Sequence, residues 1–340
     1  MPRPTLIEVA ELAGVSKSTA SLALRGAAVS ADARVRVQRA ASQLGYVYDR
    51  AAAAMRGARS GTIGLIVFDL ANPFYSELAA GVSESLEAEG ALVLIADTRE
   101  DTRRQSRFLT RMREQRLDGL ILCPATGSDG AELRAQIPED LPLVQALRHV
   151  DGLTSDYSGA ENAAGTYAAG RHLIELGHRR IAFAGSSDAT SVQRERFAGL
   201  AQATAEAGLG APPVLHCEPT LAGGIAAAEA ALAAPQRPTA LVCFNDLVAI
   251  GVTLALAQHG LTPGKDLSVV GFDDIMEAAL RTPALTTVAI EPRQLGRRAA
   301  ELVLQRLDSP GGAPRSSSQP ARLVVRQTSC APPSNGHGHV

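Results

Sequence analysis

The sequence predicts an α/β protein, in which a small all-α helix-turn-helix head precedes two doubly wound parallel-sheet lobes. Three observations predict it. A capped helix, a glycine turn and a second capped helix follow one another over Thr5 to Gly26, TLIEVAELAGVSKSTASLALRG. From Thr62 onward, short β-rich runs alternate with longer helical stretches, the pattern of parallel strands joined by crossover helices. The order strand, helix, strand, helix, strand then recurs about 120 residues later, so a second lobe repeats the plan of the first.

In the head, Thr5 and Glu8 form a capping box, each side chain able to satisfy a backbone N–H that the helix start leaves unpaired. Leu6, Val9, Ala10 and Ala13 recur at helical spacing, which predicts an amphipathic helix through Leu12, and Gly14 supplies the tight turn. Ser16 can cap the next helix, Lys17 to Arg25. There the small apolar Ala20, Ala23 and Leu24 alternate with Lys17, Ser18, Thr19 and Ser21. This suits a helix lying in a major groove with its first residues toward the bases. An ordinary helical hairpin at a domain edge has the same local pattern. Ser30 can cap a third helix reaching Leu44 and ending at Gly45, with Val35, Val37, Ala41 and Leu44 available to close a small core. The segment Asp49 to Gly57, DRAAAAMRG, has good helix propensity and marginal length. It reads either as a helix that folds conditionally or as a passive linker.

In the body, strand candidates are TIGLIVF (62–68), ALVLIAD (91–97) and DGLILC (118–123), then RRIAFAG (179–185), PVLHC (213–217) and TALVCF (239–244), with ARLVVRQ (321–327) late in the chain. Two such lobes face a cleft, and ligands of doubly wound sheets bind beyond the strand C-termini.

Charge separates the parts. Residues 1–60 carry nine Lys and Arg against four Asp and Glu, whereas the remainder carries 24 against 31. A basic head on an acidic body suits phosphate contact at one end, with counterion release supplying affinity. The 340 residues, 46% hydrophobic, suffice for a head and two core-bearing lobes. No apolar signal region or membrane-spanning run is present. Cys123, Cys217, Cys243 and Cys330 lack metal-ligand or redox spacing, which points to buried small hydrophobes in a reducing cytoplasm. His337 and His339 lie in a Gly-rich tail expected to be disordered. No metal or cofactor is called for. There is no GxxxxGK[ST] loop, no paired carboxylates at a plausible phosphoryl-transfer site and no nucleophile-elbow signature, so enzymatic turnover is not expected.

Six stretches, in this order, resemble the LacI/GalR family of transcriptional regulators over nearly the whole chain: the head quoted above, LGYVYDRAAAAMRG (44–57), NPFYSEL (72–78), LIELGHRRIAFAG (173–185), FNDLVAIG (244–251) and VGFDD (270–274). The resemblance implies a DNA-binding domain over 1–48, a hinge helix over 49–59 and an effector-binding and dimerisation domain over 60–330. The last comprises two periplasmic-binding-protein-like lobes, about 60–158 with 288–319 and about 159–287 with 320–330, joined by three crossovers. Residues 331–340 form the tail.

It also implies residue roles. Lys17, Ser18 and Leu22 match base-reading positions. Leu22 stands where many relatives carry an arginine, which implies apolar contact, for instance with a thymine methyl, and an atypical half-site. Thr19 and Ser21, with Thr5, Ser16, Ser30 and Arg34, are candidates for backbone contact. Met55 matches the hinge residue wedged between central base pairs in the minor groove. Phe74, Arg196, Asn245 and Asp273 match effector positions. The strand-end Asp that often holds a sugar hydroxyl is replaced near Leu147 and Arg148, the aromatic stacking position aligns near Pro219, and a usual Gln aligns with Ile290. Arg148 is either an effector ligand or a surface cation, and a smaller, more apolar or anionic effector would fit these departures.

The implied function is a repressor whose grip on a pseudo-palindromic operator is set by a sugar or related metabolite in the cleft. The implied assembly is a homodimer, since the tail lacks leucine heptads for a tetramerising coil. The alternatives are a sugar-binding enzyme such as a kinase with a DNA-binding head, and an effector-independent DNA binder.

Overall fold

A computed structural model describes residues 4–24, 28–47, 59–186 and 188–333, in two compact units, Met1–Ser60 and Gly61–Val340. The first unit is helical: α1 (Leu6–Ala13), α2 (Lys17–Leu24) and α3 (Ala31–Leu44). Helix α1 ends one residue later than expected because Gly14, at φ 62°, accepts the left-handed conformation that closes it. The three helices bury Val9, Ala10, Ala13, Ala20, Ala23, Val37, Ala40 and Ala41 against one another. Val35 does not join this core; it is 62% exposed, and Ala33 and Val37 take the inward positions.

The second unit runs β1 (Thr62–Val67), α4 (Pro73–Ala88), β2 (Leu92–Asp97), α5 (Thr102–Glu114), β3 (Gly119–Leu122), α6 (Gly130–Gln136), β4 (Leu143–Ala146) and β5 (Asp156–Ala160). It continues through α7 (Asn162–Glu175), β6 (Ile181–Ala184), α8 (Ser191–Glu206), β7 (Val214–Leu215), α9 (Leu221–Ala233), β8 (Ala240–Cys243), α10 (Asp246–Gln258), β9 (Ser268–Asp273), α11 (Met276–Leu280) and β10 (Thr286–Ala289). Helix α12 (Pro292–Asp308), β11 (Ser316–Gln319) and β12 (Arg322–Val324) complete it.

Two six-stranded sheets result, ordered β11-β5-β4-β3-β1-β2 and β12-β10-β9-β8-β6-β7. The orders are the same plan twice, as the internal recurrence predicted. The last strand differs, since β11 runs parallel to β5 while β12 runs antiparallel to β10. Strands β3 and β8 are buried along their whole length, which is why they read as near-continuous apolar runs, whereas β4 and β9, equally buried, include Gln145, Ser268 and Asp273 and were not among the strand candidates. The chain crosses between the sheets at Glu161, at Ile290–Glu291 and at Pro320–Ala321. Glu161 N–H donates to Gln319 O and Glu291 N–H to Gln319 Oε1, so all three crossings are tied at one level. Strand β10 stays in the second sheet through Ala289.

In the first lobe α4 packs on α12 at backbone distance: a Cβ on Gly81 would stand 1.9 Å from Arg293 O, and one on Gly296 would stand 2.1 Å from Leu78 O. In the second lobe His178 anchors the segment around Cys330, its ring bonded to Thr239 Oγ1, Ser268 Oγ and Cys330 O. Cys123 and Cys243 are buried as expected, but Cys217 is half-buried and Cys330 exposed, because each lies outside the strand cores.

Candidate functional site

The head's second helix is presented by its caps. Thr5 and Glu8 form the reciprocal box, Thr5 N–H donating to Glu8 Oε2 (2.6 Å) and Glu8 N–H to Thr5 Oγ1 (3.4 Å). The Thr5 backbone N–H and the Thr5 hydroxyl, both donating to Glu8 Oε2, hold that carboxyl below its ordinary range. Thr19 N–H donates to Ser16 Oγ (3.1 Å), and that hydroxyl also bonds the hydroxyls of Ser18 and Thr19, each at 2.8 Å. Ser16, Ser18 and Thr19 therefore form one hydroxyl cluster at the start of α2. Lys17 and Ser18 are exposed and Leu22 is 36% exposed, so the outer face of α2 offers one cation, one hydroxyl and one apolar tip. Ser21 and Arg34 are half-buried, and Ser30 caps α3 through Ala33 N–H (3.3 Å). Met55 and residues 49–58 of the hinge expected over 49–59 lie outside the described residues, as do Arg25, Gly26, His337 and His339.

The second site stands where the strands of both sheets end. A cavity of about 30 Å³ is lined from the first lobe by Phe68, Phe74, Tyr75, Leu147 and Arg148, and from the crossings and second lobe by Ala160, Asn162, Val192, Arg196, Phe244, Asn245, Asp273 and Ile290. That volume holds about one water molecule.

Arg196, on α8, is the centre of its polar side. Its Nε donates to Asn162 Oδ1 (3.0 Å), Nη1 to Phe244 O (2.5 Å) and Nη2 to Asp273 Oδ1 (3.3 Å). The guanidinium carbon lies 3.5 Å from the Phe272 ring centre and 4.8 Å from that of Phe244, so the charge is sandwiched by aromatic faces. Burial pushes the Asp273 carboxyl up to about 6, against the pull of Arg196. Asn245 spends Oδ1 on the N-cap of α10, accepting from Val248 N–H (2.9 Å), and Nδ2 on Pro219 O (3.2 Å). The residue aligned with the aromatic stacking position thus supplies a carbonyl under Asn245.

Arg148 is 4% exposed, which corrects its reading as a surface cation: the turn after β4 swings it inward. Its guanidinium lies 3.8 Å from the Phe68 ring centre and makes two bonds to Glu100, Nη2 to Oε1 (2.8 Å) and Nη1 to Oε2 (3.0 Å). Both buried guanidiniums therefore already face a carboxylate, and the site has no uncompensated positive charge to hold an anion.

Sequence reasoning named Phe74, Arg148, Arg196, Asn245 and Asp273, and the fold brings all five to this one cavity. It missed Phe68, Tyr75, Asn162, Val192 and Phe244 as wall residues. Tyr75 was findable, being the next residue of the NPFY motif; Asn162 was not, because its role comes from standing at a crossing. Asp246 was missed as well: it accepts from Thr287 Oγ1 (2.5 Å) and Ile275 N–H (2.9 Å), and burial holds its carboxyl well above the ordinary range. It braces β9 and β10 behind Asp273.

A larger groove of about 710 Å³ lies at the opposite, N-terminal ends of β3, β4 and β5, among Met112, Leu117, Ile137, Leu141 and Arg306. Arg306 there is committed to Asp156 and to backbone carbonyls. Among the described residues no group of three or more His, Cys, Asp or Glu side chains is placed to hold a metal ion, and no helix is long and apolar enough to cross a membrane.

Residues 5–49 match the model for bacterial regulatory proteins of the lacI family, and residues 171–329 that for the periplasmic binding protein-like domain. The chain is 32% identical over 327 residues to the ribose operon repressor of Haemophilus influenzae, covering 95% of this chain and 98% of that protein. Its fold superposes on the Lac repressor dimer bound to operator and the anti-inducer ONPF with a TM-score of 0.83 at 28% identity, covering 97% of this chain and 100% of that one. The complex of the transcriptional regulator CelR with cellobiose matches with a TM-score of 0.72 at 29% identity over 96% of this chain and 100% of that one.

Proposed function

Because the chain belongs to the lacI family of bacterial regulatory proteins, we propose that it is a cytoplasmic repressor that binds a pseudo-palindromic operator as a homodimer and is controlled by a small-molecule effector held between its lobes. The observation that carries the reading is the convergence of Arg196, Asn162, Asn245 and Asp273 with aromatic walls at the strand ends of two lobes joined by three crossings. Such a site changes shape when the lobes turn about those crossings.

In this reading Lys17, Ser18 and Leu22 face the base edges, Leu22 contributing only apolar contact, such as with a thymine methyl. Thr5, Ser16, Thr19, Ser21, Ser30 and Arg34 meet the phosphate backbone and set register. Met55 from each protomer wedges into the central minor groove. The effector, a sugar or related metabolite as for the ribose and cellobiose proteins named above, meets Phe74, Arg148, Arg196, Asn245 and Asp273. Binding, not turnover, is the output in this reading, in keeping with the repressor and the regulator named above.

Selection of genomic DNA fragments by the full-length protein tests this. Enriched fragments should share one pseudo-palindrome whose half-sites depart from a pattern read by arginine; fragments with no common motif would refute operator recognition.

A further inference from the structure

The two walls of the cleft are chemically unlike. The second lobe and the first crossing supply Arg196, Asn162, Asn245 and Asp273. The first lobe supplies Phe68, Phe74 and Leu147; its one charged member, Arg148, is committed to Glu100, Pro124 O, Thr126 Oγ1 and the Phe68 ring. Tyr75 adds a single hydroxyl.

Leu147 stands in the left-handed region at φ 66°, a conformation that asparagine and aspartate adopt readily and leucine rarely. The neighbouring strand enforces it: Leu147 N–H donates to Ser158 O (2.8 Å) and the Tyr157 hydroxyl donates to Leu147 O (2.9 Å). The backbone here favours a short polar side chain, yet a leucine occupies the position and lines the cavity at 8% exposure. Residues kept against local strain cluster at ligand sites, where the strain serves binding.

We propose that Leu147 sets effector choice: the ligand is a neutral polyol, of the deoxy-sugar class, that turns a deoxy carbon or methyl group toward Leu147 and its hydroxyls toward Arg196, Asn245 and Asp273. A hydroxyl placed against the Leu147 side chain meets, on that wall, only Tyr75's hydroxyl besides the engaged Arg148 and otherwise loses its water, whereas a methyl group is buried there favourably. Neutrality follows from the two guanidiniums already facing carboxylates. The inference rests on the reading of this cleft as the effector site.

Calorimetry on the full-length protein with matched pairs tests it: L-mannose with L-rhamnose, L-galactose with L-fucose, and D-ribose with its deoxy form. The wild type should bind the deoxy member of one pair roughly 10- to 100-fold more tightly than its hydroxylated partner. Leu147→Asn, which suits the backbone and adds an amide, should abolish or reverse that preference; Leu147→Met should keep it. Asp273→Asn should weaken both members alike. An unchanged preference in Leu147→Asn, or a wild type that favours the hydroxylated member, overturns the inference while the Asp273→Asn loss leaves the cleft in place. Binding untouched by Asp273→Asn removes the cleft reading itself, and the inference with it. A wild type that binds no member at millimolar concentration overturns the deoxy-sugar assignment.

Discussion

Asp273 is held between two opposing effects. Burial raises its carboxyl to about 6 from the ordinary 3.8, while Arg196 at 3.3 Å limits the rise. The folded protein therefore binds that proton more tightly than the unfolded chain between these values, and this group's contribution to stability falls as pH rises through the window. On the proposed effector contact the sign is opposite, because an ionised Asp273 offers only acceptors to the effector's hydroxyls and a protonated one loses an acceptor. Effector affinity should thus be flat above neutrality and fall by up to about tenfold per pH unit below 6, and Asp273→Asn should flatten the profile. Calorimetry across that range checks it. At this scale the sequence was partly legible. Motif position located Arg196, Asn245 and Asp273, but the inward turn of Arg148 depended on a left-handed Leu147 that nothing in leucine's own preferences foretells.

Among the elements, α2 depends most on its cap. Ser16 satisfies Thr19 N–H and gathers the Ser18 and Thr19 hydroxyls on the surface proposed for DNA. Ser16→Ala should cost the head about 1 kcal/mol, seen as a lower melting temperature. It should weaken operator binding and leave effector binding unchanged, since the cleft shares no residue with α2. Helices α1 and α3 were legible because their caps, glycine stops and apolar spacing agree. Strand β11 was not: Ser316–Gln319 has no apolar signature, because as an edge strand beside β5 it is held by backbone bonds and half exposed. Strand β7 contracted to Val214–Leu215 for a similar reason, lying at the far edge with β6 as its only neighbour.

Among the described residues, the body's exposed apolar side chains include two groups besides Leu70 and Val325. Leu92, Leu94 and Ile95 lie on edge strand β2, 66%, 41% and 38% exposed. Leu221, Leu254, Met276 and Leu280 lie on α9, α10 and α11, the last two 70% and 74% exposed. Helix α11 is tied to α10, since Arg281 donates to Thr253 Oγ1 (2.8 Å), and Gly251 of α10 packs on Leu221 O. Exposed apolar side chains on helices packed together in this way are what a protein interface covers, and the α9–α11 group is where we expect the dimer contact. Met276→Glu with Leu280→Glu should shift the protein from dimer to monomer in light scattering, with operator affinity falling as one half-site is lost; an unchanged dimer would place the interface elsewhere.

At the scale of the whole chain, the doubled strand order and the basic head were read from recurrence and charge, whereas the narrow closed cleft was not, since its 30 Å³ depends on how side chains from six strand ends interlock. An effector larger than a water needs the wall side chains or the lobes to move, and on the proposed reading operator affinity then reports the lobe geometry. The decisive measurement is fluorescence anisotropy of the selected operator titrated with full-length protein, with and without the tightest-binding sugar of the matched pairs. The account predicts that saturating sugar shifts half-saturation of the wild type by about tenfold or more and leaves the Asp273→Asn titration unmoved. Superimposable wild-type curves with the sugar bound would contradict it.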